Sequence, residues 1–188
     1  PCPPRTGSAR AVAGCEGLNQ LSASTSGSVT VRAEGTAEAL GLAAIGAGMT
    51  NSVSTRNGNA FIEAVSAAGD ARGLMTSGGT NTLIASGIGG ITVSTEGRNL
   101  AAALSAEGGG LNSLESKSGS ISLEAESAAK AYGMYVNSGG SNALKTTSGG
   151  IDIRADGDRS AYGMYADIKG TNTLQTTSVS VSILAGGK

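Results

Sequence analysis

Short apolar segments recur along the chain with a spacing of about 30 residues, and each interval contains three of them. The first alternates apolar and polar residues, as in Ile121-x-Leu123-x-Ala125. The second reads Ala-x-Gly-Met over residues 161–164, and the third reads Asn-x-Leu-x-Thr over residues 172–176. Glycine, serine and aspartate separate the segments, as they do at tight turns. Because a period of two predicts a strand, and no segment keeps the helical spacing over the length that a helix needs, we expect three short strands per interval and no helix.

The intervals are repeats in register, since residues 118–135 align without a gap with residues 148–165 at an offset of 30. The same frame extends in both directions. One apolar column contains Leu42, Leu74, Leu104, Met134 and Met164, and another contains Ile91, Ile121, Ile151 and Val181. Fixed register over several repeats is typical of stacked architectures, whereas a disordered Gly/Ser-rich tract needs no register.

Identical repeats of three strands predict an all-β fold, a parallel β-helix (β-solenoid) with three short strands per coil of about 30 residues and about six coils. Each strand would pair with its counterpart one repeat later, about 4.8 Å away, so that equivalent side chains stack in columns. We expect residues 1–25 to form an extended N-terminal leader and a partial first coil. Residues 26–188 would form the solenoid repeats.

Composition narrows the possible functions. The chain has 188 residues, with 13 basic and 14 acidic side chains, a formal net charge of −1, and no His or Trp. So weak a charge does not favour nucleic-acid binding. The absence of His removes the usual general base near neutral pH and the commonest metal ligand, so we expect no enzyme, no catalytic residue, no cofactor and no metal site. No apolar stretch reaches the length of a transmembrane helix, so we expect no membrane-spanning segment in this chain.

One asparagine recurs in every repeat. The series contains Asn19, Asn51, Asn81, Asn112, Asn142 and Asn172. An amide side chain carries two donors and an acceptor, so asparagines stacked at the strand spacing can donate to one another. We interpret the series as a structural hydrogen-bonded ladder, with a ligand site as the alternative.

Four tyrosines repeat in pairs at an offset of 30, namely Tyr132 with Tyr162 and Tyr135 with Tyr165. They should stack on one wall of the solenoid. We expect at least one pair to fill a corner of the core. The other pair is a candidate exposed aromatic patch for a sugar or a protein partner.

The two cysteines, Cys2 and Cys15, both precede the regular repeats. A disulfide between them would brace a first coil that has no coil beneath it. Two free thiols, or a bond to another chain, are the alternatives.

The chain resembles the passenger region of bacterial autotransporter adhesins, the pertactin-like and AIDA-like right-handed parallel β-helices. The resemblance rests on the Ala-Tyr-Gly-Met-Tyr segments at 131–135 and 161–165, the Ser-Gly-Gly-Ile-x-Ile entry at 148–153 and the Asn-x-Leu corners. It covers residues 26–188 and implies a location at the bacterial cell surface or outside the cell. It also implies a non-enzymatic role in adhesion or aggregation, or as a rigid spacer, with a protein or glycan of a host or neighbouring cell, or copies of itself, as partner.

A self-assembling extracellular fibre subunit is the alternative function. The chain begins within one repeat and leaves after the first strand of another, so two copies joined head to tail would continue the frame. Open strand edges are templates for pairing, and such a contact propagates because it does not close. The residues expected at this contact are Val179, Val181 and Ile183.

Overall fold

The computed structural model of the chain describes residues 8–14 and 18–187, and every regular element within them is a β-strand. The 18 strands form three parallel sheets of six strands each. Sheet A contains β1 (Ser8–Gly14), β4 (Glu38–Ile45), β7 (Asp70–Ser77), β10 (Leu100–Glu107), β13 (Lys130–Val136) and β16 (Ser160–Ala166). Sheet B contains β2 (Leu18–Ala23), β5 (Thr50–Thr55), β8 (Thr80–Ala85), β11 (Leu111–Ser116), β14 (Ser141–Thr146) and β17 (Thr171–Thr176). Sheet C contains β3 (Val29–Gly35), β6 (Ala60–Ser66), β9 (Ile91–Gly97), β12 (Ile121–Ser127), β15 (Ile151–Gly157) and β18 (Val181–Gly187).

Each strand pairs in parallel with its counterpart one coil away, which confirms the predicted β-solenoid. A coil runs once through sheets A, B and C. Coil 1 is β1–β3, and the numbering continues to coil 6, β16–β18. Because β1 and β2 pair with β4 and β5, the first coil has the same three strands as the others. The boundary that we expected after residue 25 falls within this coil, between β2 and β3. Cys2 and Cys15 lie outside the described residues, so their pairing stays a prediction.

The core is a set of columns that run along the solenoid axis. In sheet A the predicted column is present, with Leu42, Leu74, Leu104 and Met134 all 0% exposed and Met164 packed against the same cluster. Smaller alanine columns flank it where sheets C and A meet. A narrow cross-section of this kind needs only a few small apolar side chains per coil, which explains how a chain with one Phe and many Ala and Gly builds a continuous core.

Sheet A bends in the middle of each strand. The pairing register skips one residue there, which is Gly133 in β13 and Gly163 in β16. A Cβ atom at Gly133 would lie 2.1 Å from Cγ2 of Ile153, and one at Gly163 would lie 2.1 Å from Cγ2 of Ile183. Sheet C therefore packs directly against the backbone at the bend, and a side chain at these positions would have to displace it.

Among the described residues, no helix is long and apolar enough to cross a membrane.

Candidate functional site

The bend in sheet A brings the four tyrosines together on its outer surface. On a regular strand, residues three apart face opposite sides. Here Ala131 and Met134 point into the core clusters, while the rings of Tyr132 and Tyr135 meet with centroids 4.9 Å apart. We call the surface formed by Tyr132, Tyr135, Tyr162 and Tyr165 the tyrosine crease.

The rings form a two-by-two array. Across coils they stack nearly parallel, at 5.5 Å and 9° for Tyr132–Tyr162 and at 5.7 Å and 5° for Tyr135–Tyr165. Within a coil they are tilted, at 56° for Tyr132–Tyr135 and at 57° and 5.0 Å for Tyr162–Tyr165. These separations are typical of favourable aromatic pairs.

Exposure divides the array by coil. We expected at least one pair to fill a corner of the core, and of the four rings only that of Tyr132 is buried. Tyr132 in coil 5 is only 6% exposed, because rings cover it, whereas Tyr162 in coil 6 is 41% exposed. Tyr135 and Tyr165 are partly exposed.

The phenols of Tyr132 and Tyr165 keep their protons at physiological pH. Burial, followed by the neighbouring tyrosines, raises the pKa of Tyr132 from 10.0 to about 12. The carboxylate of Asp167 is the main cause of a raised pKa at Tyr165. A hydroxyl that holds its proton is a hydrogen-bond donor and acceptor rather than a base or a nucleophile.

A strained turn borders the crease. It follows β16, and Ile168 and Lys169 adopt φ values of 28° and 64°, which disfavour residues with a Cβ and a β-branched residue most. The amide of Ile168 donates to Oδ1 of Asp167 at 2.8 Å, and the Ile168 side chain is 72% exposed. The crease therefore has an exposed apolar tip and a carboxylate beside its rings.

This turn was not singled out from the sequence, although a signal was available. The equivalent positions are Gly108 and Gly109 in coil 4 and Ser138 and Gly139 in coil 5, all with positive φ. Of these three turns, only that of coil 6 has no glycine at either position.

The outer surface of sheet A changes from coil to coil beyond the tyrosines. In coil 4 the crease positions are Ala102 and Ser105, both 0% exposed, and Oγ of Ser105 has no hydrogen-bond partner among the described residues. In coil 3 the position equivalent to Tyr132 is Arg72, whose guanidinium lies 3.1 Å from Asp70 and 3.6 Å from both Glu38 and Glu107. Sequence reasoning missed this ion-pair cluster, because Glu38 and Glu107 are 34 and 35 positions from Arg72 in the chain.

The asparagine ladder is present in full. The amide Nδ2 of each asparagine donates to Oδ1 of the next at 2.8–2.9 Å, from Asn19 to Asn172. The same amides also donate to backbone carbonyls of sheet A. Asn112 and Asn142 reach the carbonyls of Tyr135 and Tyr165, each at 2.9 Å. The ladder therefore helps to hold the backbone beneath the tyrosine crease.

The ladder also has a direction. Every Nδ2 points to the coil nearer the C-terminus, so coil 6 presents the amide donor of Asn172, which reaches the carbonyl of Met164 at 3.3 Å. Beside it, Leu174 and Ile183 are 48% and 42% exposed, and Val179 and Val181 are partly exposed. The predicted contact residues thus lie along one uncovered edge of the described solenoid.

A second surface feature is a groove of about 760 Å³ where sheet C meets sheet A. Its wall includes Glu96, Glu126 and Asp156, which stack on successive coils, and Arg154, which pairs with Asp156 at 2.7 Å. Within residues 8–14 and 18–187, no group of three or more His, Cys, Asp or Glu side chains could hold a metal ion.

No protein-family model matches this chain, and no curated protein and no solved structure matches it either.

Proposed function

We propose that this chain is a non-enzymatic β-solenoid of the bacterial cell surface that acts in adhesion, as its resemblance to autotransporter passengers implies. The observation that carries the proposal is the tyrosine crease, in which all four tyrosines of the chain form one partly exposed array on a rod. Tyrosine supplies a large rigid contact area and a polar tip, which makes it a frequent anchor of binding surfaces.

The surroundings of the crease support a binding role. Ile168 and Lys169 hold disfavoured backbone conformations beside Tyr165, and strain of this kind concentrates at functional sites. Neutral phenols next to the Asp167 carboxylate give hydrogen-bond donors and acceptors around flat apolar rings. A pyranose presents the same alternation of apolar faces and hydroxyls, so a cell-surface glycan is the ligand class that fits best.

The experiment compares two aromatic residues of similar exposure on different sheets. Tyr162 in the crease is 41% exposed, and Phe61 on the outer face of sheet C is 43% exposed. Binding of the chain to a printed panel of cell-surface glycans should fall by roughly tenfold or more for Tyr162→Ala, the loss expected of an anchor residue. Phe61→Ala should bind like the parent.

The chain offers a direct readout of the same event. It contains no Trp, so its intrinsic fluorescence at tyrosine wavelengths comes from the crease alone. A bound glycan should change this emission. Equal binding by the parent and Tyr162→Ala, or no binding to any glycan while a purified cell-surface protein binds, would contradict the glycan proposal.

The direction of the asparagine ladder favours a second candidate, the head-to-tail fibre subunit. A copy whose coil 1 met coil 6 would place Oδ1 of its Asn19 against the Asn172 donor and continue all three sheets in register. If two copies met through coil 6 of each, the amide donor of one Asn172 would instead face the amide donor of the other. Exposed Leu174 and Ile183 would be covered as their counterparts Leu144 and Ile153 are, at 1% and 0% exposure.

Sedimentation velocity over a range of concentrations tests this candidate. The measurement uses the 188-residue chain itself, because a further coil in a longer chain would cover the same edge. Val181→Lys should abolish association by placing a charge on the edge of sheet C. Ile88→Lys is the control, because Ile88 is 86% exposed in a turn away from that edge. Monomers of the parent at every concentration would remove the fibre candidate and leave the adhesion proposal intact.

A further inference from the structure

The tyrosine crease concentrates all the phenolic chemistry of this chain in one place. The sequence has four tyrosines and no Trp or His, and every tyrosine has at least two other rings with centroids within 5.7 Å. Tyrosine loses one electron and one proton to form a phenoxyl radical. Two such radicals at contact distance couple through ring carbons ortho to the oxygen.

The ring geometry distinguishes the pairs. A bond between two ortho carbons joins ring edges, so rings that are stacked face to face are poorly placed for it and rings whose edges approach one another are better placed. Two of the three pairs across coils are nearly parallel, at 9° and 5°, and present their faces to one another, whereas the diagonal pair Tyr132–Tyr165 is tilted by 60° at a centroid distance of 5.4 Å. The two pairs within a coil are tilted by 56° and 57° and have the shortest centroid distances, 4.9 and 5.0 Å. The within-coil pairs are therefore closest to coupling geometry.

Exposure then selects one of these two pairs. Tyr132 in coil 5 is 6% exposed, whereas Tyr162 in coil 6 is 41% exposed and open to an oxidant. We propose that Tyr162 and Tyr165 form an oxidative modification site, at which hydrogen peroxide and a haem peroxidase join the two rings into an intramolecular dityrosine.

The reaction balances without any group from the protein other than the two phenols. Each phenol gives up one electron and one proton, and the two phenoxyl radicals form one carbon–carbon bond between their ortho carbons. The hydrogen on each of these carbons then moves to the phenolic oxygen and restores the aromatic rings. One hydrogen peroxide takes up the two electrons and two protons and becomes two waters, so the chain loses two hydrogens.

The sequence provides a matched control for the test. Residues 131–135 and 161–165 have the same sequence, Ala-Tyr-Gly-Met-Tyr, so the two pairs are equivalent in the unfolded chain. Any preference between them must come from the fold. Neither this site nor its test depends on the adhesion proposal, because no ligand is involved.

The experiment treats dilute protein with peroxide and peroxidase, once in native buffer and once in concentrated urea, and maps the linked peptides by mass spectrometry. In native buffer the monomer should lose two hydrogens and gain dityrosine fluorescence. The Tyr162–Tyr165 product should exceed Tyr132–Tyr135 several-fold. In urea the two products should form in equal amounts.

Two variants complete the test. Tyr165→Phe removes one phenol and should abolish the native product, whereas Tyr135→Phe should leave it at the level of the parent. A native product dominated by any other pair, coupling only between molecules, or no coupling in the folded chain would overturn the proposal. The same Tyr162–Tyr165 excess in urea would also overturn it, because the fold would then not be the cause.

Discussion

Coils 5 and 6 are identical at 14 of 28 aligned positions, residues 130–157 against 160–187, but differ sharply in environment. Both contain Ala-Tyr-Gly-Met-Tyr in sheet A and Asn-x-Leu-x-Thr in sheet B. Leu144 is 1% exposed and Leu174 is 48% exposed, although they occupy the same position in successive coils. The same holds for Ile153 and Ile183 in sheet C, at 0% and 42%.

The difference shows that a residue in a solenoid is buried by its neighbours in the stack and not by its own coil. Coil 5 lies between two coils, and coil 6 is covered on one side only. A motif therefore fixes which way a side chain points, while its position in the stack fixes how much the side chain contributes to stability and how accessible it is.

The largest effect should come from a charge in the central column. Met134→Asp would bury a carboxylate with no partner at a position that is 0% exposed, and should lower the free energy of unfolding by about 3–5 kcal/mol. Met164→Asp, one coil later and partly exposed, should cost clearly less. Urea titration of both variants measures this pair, and equal losses would contradict the comparison.

Truncation of a core leucine should give a smaller difference in unfolding free energy between coils 5 and 6. Leu144→Ala removes a fully buried side chain and should cost about 2–5 kcal/mol of unfolding free energy. Leu174→Ala removes a side chain that is already half exposed and should cost about 1 kcal/mol. Thermal unfolding followed by circular dichroism measures both losses of stability. A larger loss for Leu174→Ala than for Leu144→Ala would mean that coil 6 is covered in solution.

The asparagine ladder gives a smaller effect. Asn142→Ala removes the donor to the Tyr165 carbonyl and interrupts the ladder between the buried amide of Asn112 and the exposed amide of Asn172, which should cost about 1–3 kcal/mol. Asn172→Ala removes the last amide and should cost about 0.5–1.5 kcal/mol. If Asn142→Ala unfolded at the same urea concentration as the parent, the ladder would not contribute to stability.

The smallest effect concerns pH. Burial raises the pKa of Tyr132 to about 12 from 10.0, so the folded chain keeps this proton over a range in which the unfolded chain releases it. The resulting stabilisation is complete below pH 10 and is lost as the pH rises through about 12. A spectrophotometric titration of the folded chain should show a late phenol that disappears in Tyr132→Phe and persists in Tyr162→Phe. An unchanged late phase in Tyr132→Phe would contradict the assignment.

Most of the fold follows from the sequence because packing inside a stack is repetitive. The Leu42–Met164 column and the Asn19–Asn172 ladder each need the same residue type in every coil, and the period exposes that need directly. The outer surface of sheet A is under no such constraint. Its positions pass from Arg72 through Ala102 to Tyr132, so periodicity says nothing about their role.

The crease itself also depends on tertiary structure. The repeat predicts that Tyr132 stacks on Tyr162, but only the bend at Gly133 brings Tyr132 and Tyr135 to the same side. At that bend Ile153 of sheet C packs against the Gly133 backbone, a contact between residues 20 positions apart. Local alternation would have placed the two rings on opposite faces.

Amide hydrogen exchange of the two Ala-Tyr-Gly-Met-Tyr segments tests most directly whether position in the stack, rather than sequence, determines burial and stability. From the second residue of each segment the preceding residue is also the same, so the intrinsic exchange rates of residues 132–135 and 162–165 are matched, and any difference in their protection comes from the fold. We predict that residues 131–135, paired with a coil on both sides, exchange more slowly than residues 161–165, which pair on one side only. Equal protection of the two segments, or slower exchange of residues 161–165, would contradict the account.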